Sequence, residues 1–217
     1  MLNNNYNYNF SAEDITSLKE LLALHCGFSN YSEMRGFVQA NAARGEDHTL
    51  EETPVLYVDL DGTLAEFKYA DSMDTLYEQG YFLNLKPIDG VLAGIKEFMR
   101  RYPEIPVYVL SAYLGDSKYA LQEKSMWLDR YFPELEDEHQ LFVKCGEIKA
   151  DVPLESENAF LLDDHSQNLL DWEKAGFKGI KLLNGINGEG KKWKGDRISS
   201  SLTPDVFAEK LYELLVK

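Results

Sequence analysis

The stretch that most constrains this chain is Pro54–Leu64, PVLYVDLDGTL. Val55, Leu56, Tyr57 and Val58 form a continuous apolar run that reads as a buried strand. It runs into two carboxylates, Asp59 and Asp61, and Gly62 and Thr63 then turn the chain. In an open α/β sheet the carboxyl ends of the strands face the ligand crevice. Asp59 and Asp61 are two residues apart, so strand alternation and the turn bring both side chains to one pocket. Acids that close repel unless a cation lies between them or one keeps its proton. Mg²⁺, a hard ion that takes oxygen ligands, is the cation such a pair fits. The bland alternative is a strand that ends in a solvated acidic turn.

The rest of the chain sets that strand in an α/β pattern. Apolar segments at 107–110, 141–143, 160–162 and 178–183 read as further strands. Helical spacing covers about 90–102, 117–131, 166–175 and 203–216, the last capped by Thr203 with Pro204 at its first position. Such alternation predicts a parallel sheet covered on both faces. Before Pro54, two amphipathic helices are expected at about 11–26 and 31–43, an N-terminal extension over residues 1–53. The main domain then spans 54–217, with a short insert at 65–87 that carries a helical piece near 71–79.

Composition excludes several roles. The chain has 217 residues, 44% of them hydrophobic, which suits one domain of ordinary size with a small appendage. No apolar run reaches the roughly 18 residues of a membrane-spanning helix, and the first residues lack the basic and apolar regions of a secretory signal. Cys26 and Cys145 have no metal or redox spacing and read as free thiols of a cytoplasmic protein. A net charge of −15 argues against nucleic acid or an anionic membrane as a partner.

Three of the predicted strands end in groups that suit a single chemistry. They are Asp59 and Asp61, then Ser111, then Asp163 and Asp164. The helix after Ser111 adds Lys124. Strand ends of a parallel sheet share one edge, so these groups can converge. The set suits phosphoryl transfer: a carboxylate nucleophile, a second carboxylate for proton transfer, a hydroxyl and an ammonium for phosphate oxygens, and further acids for a metal.

Asp59-Leu60-Asp61-Gly62-Thr63, the apolar strand ending in Ser111, Lys124, and Asp163-Asp164 resemble the four motifs of the haloacid dehalogenase superfamily of phosphohydrolases. The resemblance covers about residues 54–185. It implies a three-layer α/β/α, Rossmann-type fold with a parallel sheet. The segments D-L-D-G-T-L-A-E-F, Y-E-Q-G-Y-F-L-N-L-K-P-I-D-G, E-K-S-M-W-L-D-R-Y-F and L-L-D-D are also similar to the 5′(3′)-deoxyribonucleotidases. That family removes phosphate from deoxynucleoside monophosphates using Mg²⁺.

By this resemblance Asp59 is the nucleophile and Asp61 the general acid/base. Ser111, Lys124, Gly62 and Thr63 bind phosphate, and Lys124 also offsets the charge of Asp59. Asp59, Asp61, Asp163 and Asp164 hold Mg²⁺, and Phe67 stacks on the base. The partner it implies is a small phosphorylated substrate, a nucleoside monophosphate. The chain also departs from the family. Leu110 stands where the family has a hydroxyl before its motif serine, Ala112 replaces a proline, and the cap is much reduced. A phosphatase of another small or exposed phosphomonoester therefore stays open as an alternative. So does a binding module that keeps the fold without catalysis.

Other residues read more plainly. Lys144 and Lys149 are expected at the surface near the third strand, and His165 at the start of a helix. Trp127 and Trp172 are expected in the core, and Lys191–Lys194 in an exposed loop.

Overall fold

The computed structural model describes residues 24, 29, 53–67, 72–152, 154, 156–185 and 192–217. Both expected N-terminal helices lie outside the described residues. The chain divides into two compact units, residues 1–50 and 51–217, and the sheet belongs to the second.

All four residues of β1 (Val55–Val58) are buried, so this strand is covered on both faces, as the middle of a parallel sheet requires. Around it stand β2 (Val107–Tyr113), β3 (Gln140–Lys144), β4 (Ala159–Asp163), β5 (Lys178–Leu183) and β6 (Asp196–Ser199), in the order β3-β2-β1-β4-β5-β6. Every pairing is parallel, with Leu56 opposite Val107 on one side of β1 and Phe160 on the other. The chain moves outward from β1 to β3, then returns to β4 and proceeds the other way. The sheet therefore has a switch point between β1 and β4, the place where such sheets bind ligands.

Right-handed crossovers put helices that connect strands before and after this reversal on opposite faces. Helices α1 (Asp89–Arg101) and α2 (Ala120–Tyr131) share a core with Leu56, Val58, Val109 and Leu162. Helix α3 (Ser166–Lys174) packs Leu169 and Trp172 against Val55, Tyr57 and Leu161 on the other face. Helix α4 (Pro204–Leu215), which follows the last strand, returns to the core of α1 and α2. Successive β1 residues serve opposite cores, which is strand alternation at work. Where α1 meets α4, a Cβ on Gly94 would lie 2.6 Å from the Phe207 ring, so glycine permits their close approach.

Several boundaries differ from the expectation. β2 does not stop at Ser111 but pairs with β3 as far as Tyr113. α2 begins at Ala120 rather than Ser117, and the Ser117 hydroxyl instead accepts from the Tyr119 and Ala120 amides. β6 is a strand that the apolar pattern does not predict. Trp193, expected in an exposed loop, is buried beside Leu169 and Trp172, and its indole N–H donates to the Asp196 carbonyl at 2.9 Å. Within the insert, Met73–Tyr77 forms one short 3₁₀ helix capped by the Ser72 hydroxyl. Among the described residues, no helix is long and apolar enough to cross a membrane.

Candidate active site

Asp59 follows β1, and its backbone N–H donates to Leu162 of β4 at 2.9 Å, so the first acid is fixed beside the last pair. Asp163 ends β4 and Asp164 comes next, and both are buried. One oxygen from each of Asp59, Asp163 and Asp164 lies within 4.8 Å of the others.

The turn after Asp59 is built for this crowding. Gly62 sits at φ +84°, a left-handed conformation that glycine adopts freely. A Cβ there would lie 2.5 Å from an Asp164 carboxylate oxygen. The expectation for Gly62 and Thr63 is contact with phosphate. Their amides are instead occupied in the turn, donating to Ala65 and Leu60 carbonyls at 2.7 and 3.2 Å. The Thr63 side chain is wholly buried, with no partner for its hydroxyl among the described residues. These two residues hold the turn in shape.

Lysines are seldom buried without a charge to meet, yet Lys124, Lys149 and Lys181 all are. Lys149, expected at the surface, follows β3 in the 3₁₀ turn Lys149–Asp151 and reaches into the acids. Its ammonium donates to Asp59 Oδ1 at 2.5 Å and to Asp163 Oδ2 at 2.8 Å. Lys124, expected to offset Asp59, pairs instead with Asp61 Oδ2. It also donates to Ser111 Oγ at 3.0 Å and the Ala112 carbonyl at 2.6 Å. Lys181 donates to the Asp164 carbonyl.

Two asparagines complete the frame. Asn168 donates to Asp163 Oδ2 at 2.8 Å, while the His165 amide donates to Asp163 Oδ1 at 2.7 Å. The Asn184 amide nitrogen bridges Asp164 Oδ2, at 3.0 Å, and the Gly62 carbonyl, tying the two acidic loops together. No local signal marks Lys149, Asn168 or Asn184 in the sequence. The surplus of acids over assigned lysines is the one clue that a further cation was needed.

Oxygen donors crowd this edge. Four carboxyl groups (Asp59, Asp61, Asp163, Asp164) face three lysines (Lys124, Lys149, Lys181), and oxygens of Asp59, Asp163 and Asp164 converge within 4.8 Å. Burial pushes the Asp59 carboxyl up to about 8; Lys149 opposes the rise, and Asp163, Asp61 and Asp164 add to it. For Lys149, burial works to lower the value, but Asp163 and Asp59 outweigh it and raise it, so the ammonium stays charged. Lys181 is lowered by burial, against the pull of Asp164 and Asp163. A cluster of buried oxygen donors of this kind fits a divalent cation.

A cavity of about 340 Å³ opens over these groups. Asp59, Asp61, Lys124 and Asp164 line it on the charged side, and Phe67, Leu76, Phe82 and Leu114 on the apolar side. Ser111 and Asp163 lie behind this surface, fully buried. Cys145, an exposed free thiol, also lines the cavity.

No protein-family model matches the chain. A protein of Vibrio phage KVP40 that carries the provisional name 5′(3′)-deoxyribonucleotidase is 24% identical over 91 residues, 37% of this chain and 52% of the phage protein. The match thus spans about half the length of that relative. Among solved structures, D,D-heptose 1,7-bisphosphate phosphatase from B. bronchiseptica, complexed with magnesium and phosphate, superposes with a TM-score of 0.51 at 13% identity. That superposition covers 74% of this chain and 98% of the other. A haloacid dehalogenase-like hydrolase from Burkholderia xenovorans gives a TM-score of 0.50 at 14% identity, covering 75% and 98%. The parallel sheet and these likenesses show that the chain shares the α/β fold of these phosphatase and hydrolase structures.

Proposed function

We propose that the protein is a Mg²⁺-dependent phosphomonoester hydrolase that works through an aspartyl-phosphate on Asp59, with a nucleoside monophosphate as its substrate. One observation carries this reading. The two acids of a single turn are assigned to different lysines, Asp59 to Lys149 and Asp61 to Lys124. Both acids line one cavity with Lys124, so a nucleophile and a proton carrier can face the same phosphoryl group.

Asp59 attacks phosphorus, and the bond from phosphorus to the ester oxygen breaks. Asp61 passes its proton to that leaving oxygen. Asp61 then takes a proton from water as the water oxygen bonds to phosphorus. The bond between phosphorus and Asp59 breaks, and orthophosphate departs. Lys124, which lines the cavity, takes phosphoryl oxygens, and Ser111 Oγ holds its ammonium from behind at 3.0 Å. Lys149 keeps the Asp59 carboxylate oriented. Asp59, Asp163 and Asp164 would hold Mg²⁺ with their carboxylates, and Asp61 would offer its backbone carbonyl. When bound there, Mg²⁺ would supply charge that favours ionised Asp59 and offsets the phosphoryl oxygens.

The phage relative's name and the aromatic wall of Phe67 and Phe82 support a nucleoside as leaving group. The net charge of −15 supports a small substrate over a nucleic acid. Phosphate release from deoxynucleotides, ribonucleotides and sugar phosphates, with and without Mg²⁺, tests the proposal. Mg²⁺-dependent release favouring nucleotides is expected. Equal rates on all three classes would remove the nucleotidase assignment and leave the hydrolase.

A further inference from the structure

Glu123 is a buried acid that the proposed chemistry does not use. It precedes Lys124 on α2, and its carboxylate accepts from backbone amides. One oxygen accepts from the Gly80 amide at 2.5 Å, and the other from the Phe82 and Leu83 amides at 3.1 and 3.4 Å. These amides belong to the returning leg of the insert. One turn further along α2, the Trp127 indole N–H donates to the Leu85 carbonyl of the same leg at 2.8 Å. The leg is therefore bolted to α2 at two points.

That attachment has a consequence at the site. Phe82 lines the cavity, and the Lys124 ammonium lies 4.7 Å from its ring centroid. An ammonium over an aromatic face is held electrostatically. Phe82 thus closes one side of the Lys124 ammonium, while Asp61, Ser111 and the Ala112 carbonyl hold the rest. Glu123 cannot hold Lys124 directly from the adjacent position. It acts by fixing the backbone of Phe82. A carboxylate suits this role because both oxygens only accept, so three amides can be gathered by one side chain.

We infer that Glu123 is a positioning residue: it sets Phe82 against Lys124 and thereby fixes the ammonium that binds the phosphoryl group. The inference deepens the proposed function and rests on it for the role of Lys124. Glu123→Gln keeps the shape, but its amide NH₂ faces backbone N–H groups where an oxygen had accepted. Phe82→Leu removes the aromatic face and leaves Glu123 in place.

The test reads both turnover and lysine reactivity. In Glu123→Gln and Phe82→Leu, KM for a phosphomonoester and the Kd for inorganic phosphate should each rise about tenfold, with a smaller change in kcat. The double variant should be no worse than the weaker single one, because both act on one link. Acetic anhydride labelling, read by peptide mass spectrometry, should modify Lys124 about tenfold faster in both variants while Lys149 and Lys181 stay protected. Unchanged Lys124 labelling, or wild-type KM and Kd in variants of lowered Tm, would overturn the inference and leave Glu123 a purely structural residue. Faster Lys124 labelling in proteins that hydrolyse nothing, wild type included, would remove the hydrolase proposal and keep the positioning role. If Glu123→Gln does not fold, Phe82→Leu carries the same comparison.

Discussion

Lys149 and Asp59 come from opposite sides of β2 and β3 in the chain, 90 residues apart, and meet in an ion pair of 2.5 Å at the carboxyl edge of the sheet. The pair is buried, and the same ammonium reaches Asp163. Removing one partner of a buried pair leaves a charge that nothing compensates.

Lys149→Met should therefore destabilise the protein by about 3–5 kcal/mol. Urea unfolding measures this directly. Phosphate release should fall by roughly 10²–10³, the scale on which loss of one preorganised electrostatic partner is felt. A variant of near wild-type stability would show that the acids are compensated by something other than Lys149.

Gly62→Ala meets two obstacles at once, a φ of +84° and an Asp164 oxygen 2.5 Å from the new carbon. Strained backbone of this kind costs about 1–3 kcal/mol. The contact also pushes on Asp164, so Mg²⁺ affinity should fall along with Tm. Isothermal titration of the folded variant with Mg²⁺ separates the two effects.

Mg²⁺ should stabilise the wild-type protein, because the three acids converge only in the folded state. At 100 times its Kd, a ligand adds about 2.7 kcal/mol, equivalent to a rise in Tm of about 5–10 °C for a domain of this size. Thermal melts with Mg²⁺ and with EDTA check this. Asp164→Asn should shrink the shift, and an unchanged shift would place the ion elsewhere.

Glu97 supplies a pH signature away from the site. Hydrogen bonds from Arg100 and Arg101 hold its carboxyl down at about 2. Arg101 also pairs with Asp205, so the group links α1 to α4. A carboxyl lowered on folding stabilises the folded state above its ordinary value of 4.5 and loses that contribution as pH falls towards 2. Glu97→Gln should lower stability by a constant amount between pH 6 and 8, and its curve should converge with that of the wild type as pH falls from 4.5 towards 2. A parallel offset of the whole curve would contradict the assignment.

Much of this molecule was legible in its sequence because strands and helices alternate with strong apolar patterns. The parallel sheet, and the acids that follow β1 and end β4, come from that pattern. β6 was not legible, because Asp196-Arg197-Ile198-Ser199 buries only Ile198 and carries charges at an outer strand. Trp193 was hidden for a similar reason, among lysines that mask a buried indole. Lys149 was missed on different grounds. It lies in the polar stretch G-E-I-K-A-D, and nothing local distinguishes it from a solvated lysine. Only the convergence of β1, β4 and the turn after β3 reveals what it neutralises. That Lys124 meets Asp61 and leaves Asp59 to Lys149 has the same origin, since ion pairing follows three-dimensional proximity and not motif order.

The central claim is that Asp59 carries the phosphoryl group. Acid quenching during turnover of p-nitrophenyl phosphate, followed by peptide mass spectrometry, tests it most directly. The expected result is a phosphorylated peptide containing Asp59 in the wild type, with neither phosphopeptide nor turnover in Asp59→Asn. Turnover by Asp59→Asn, or a phosphoryl group on another residue, would contradict it.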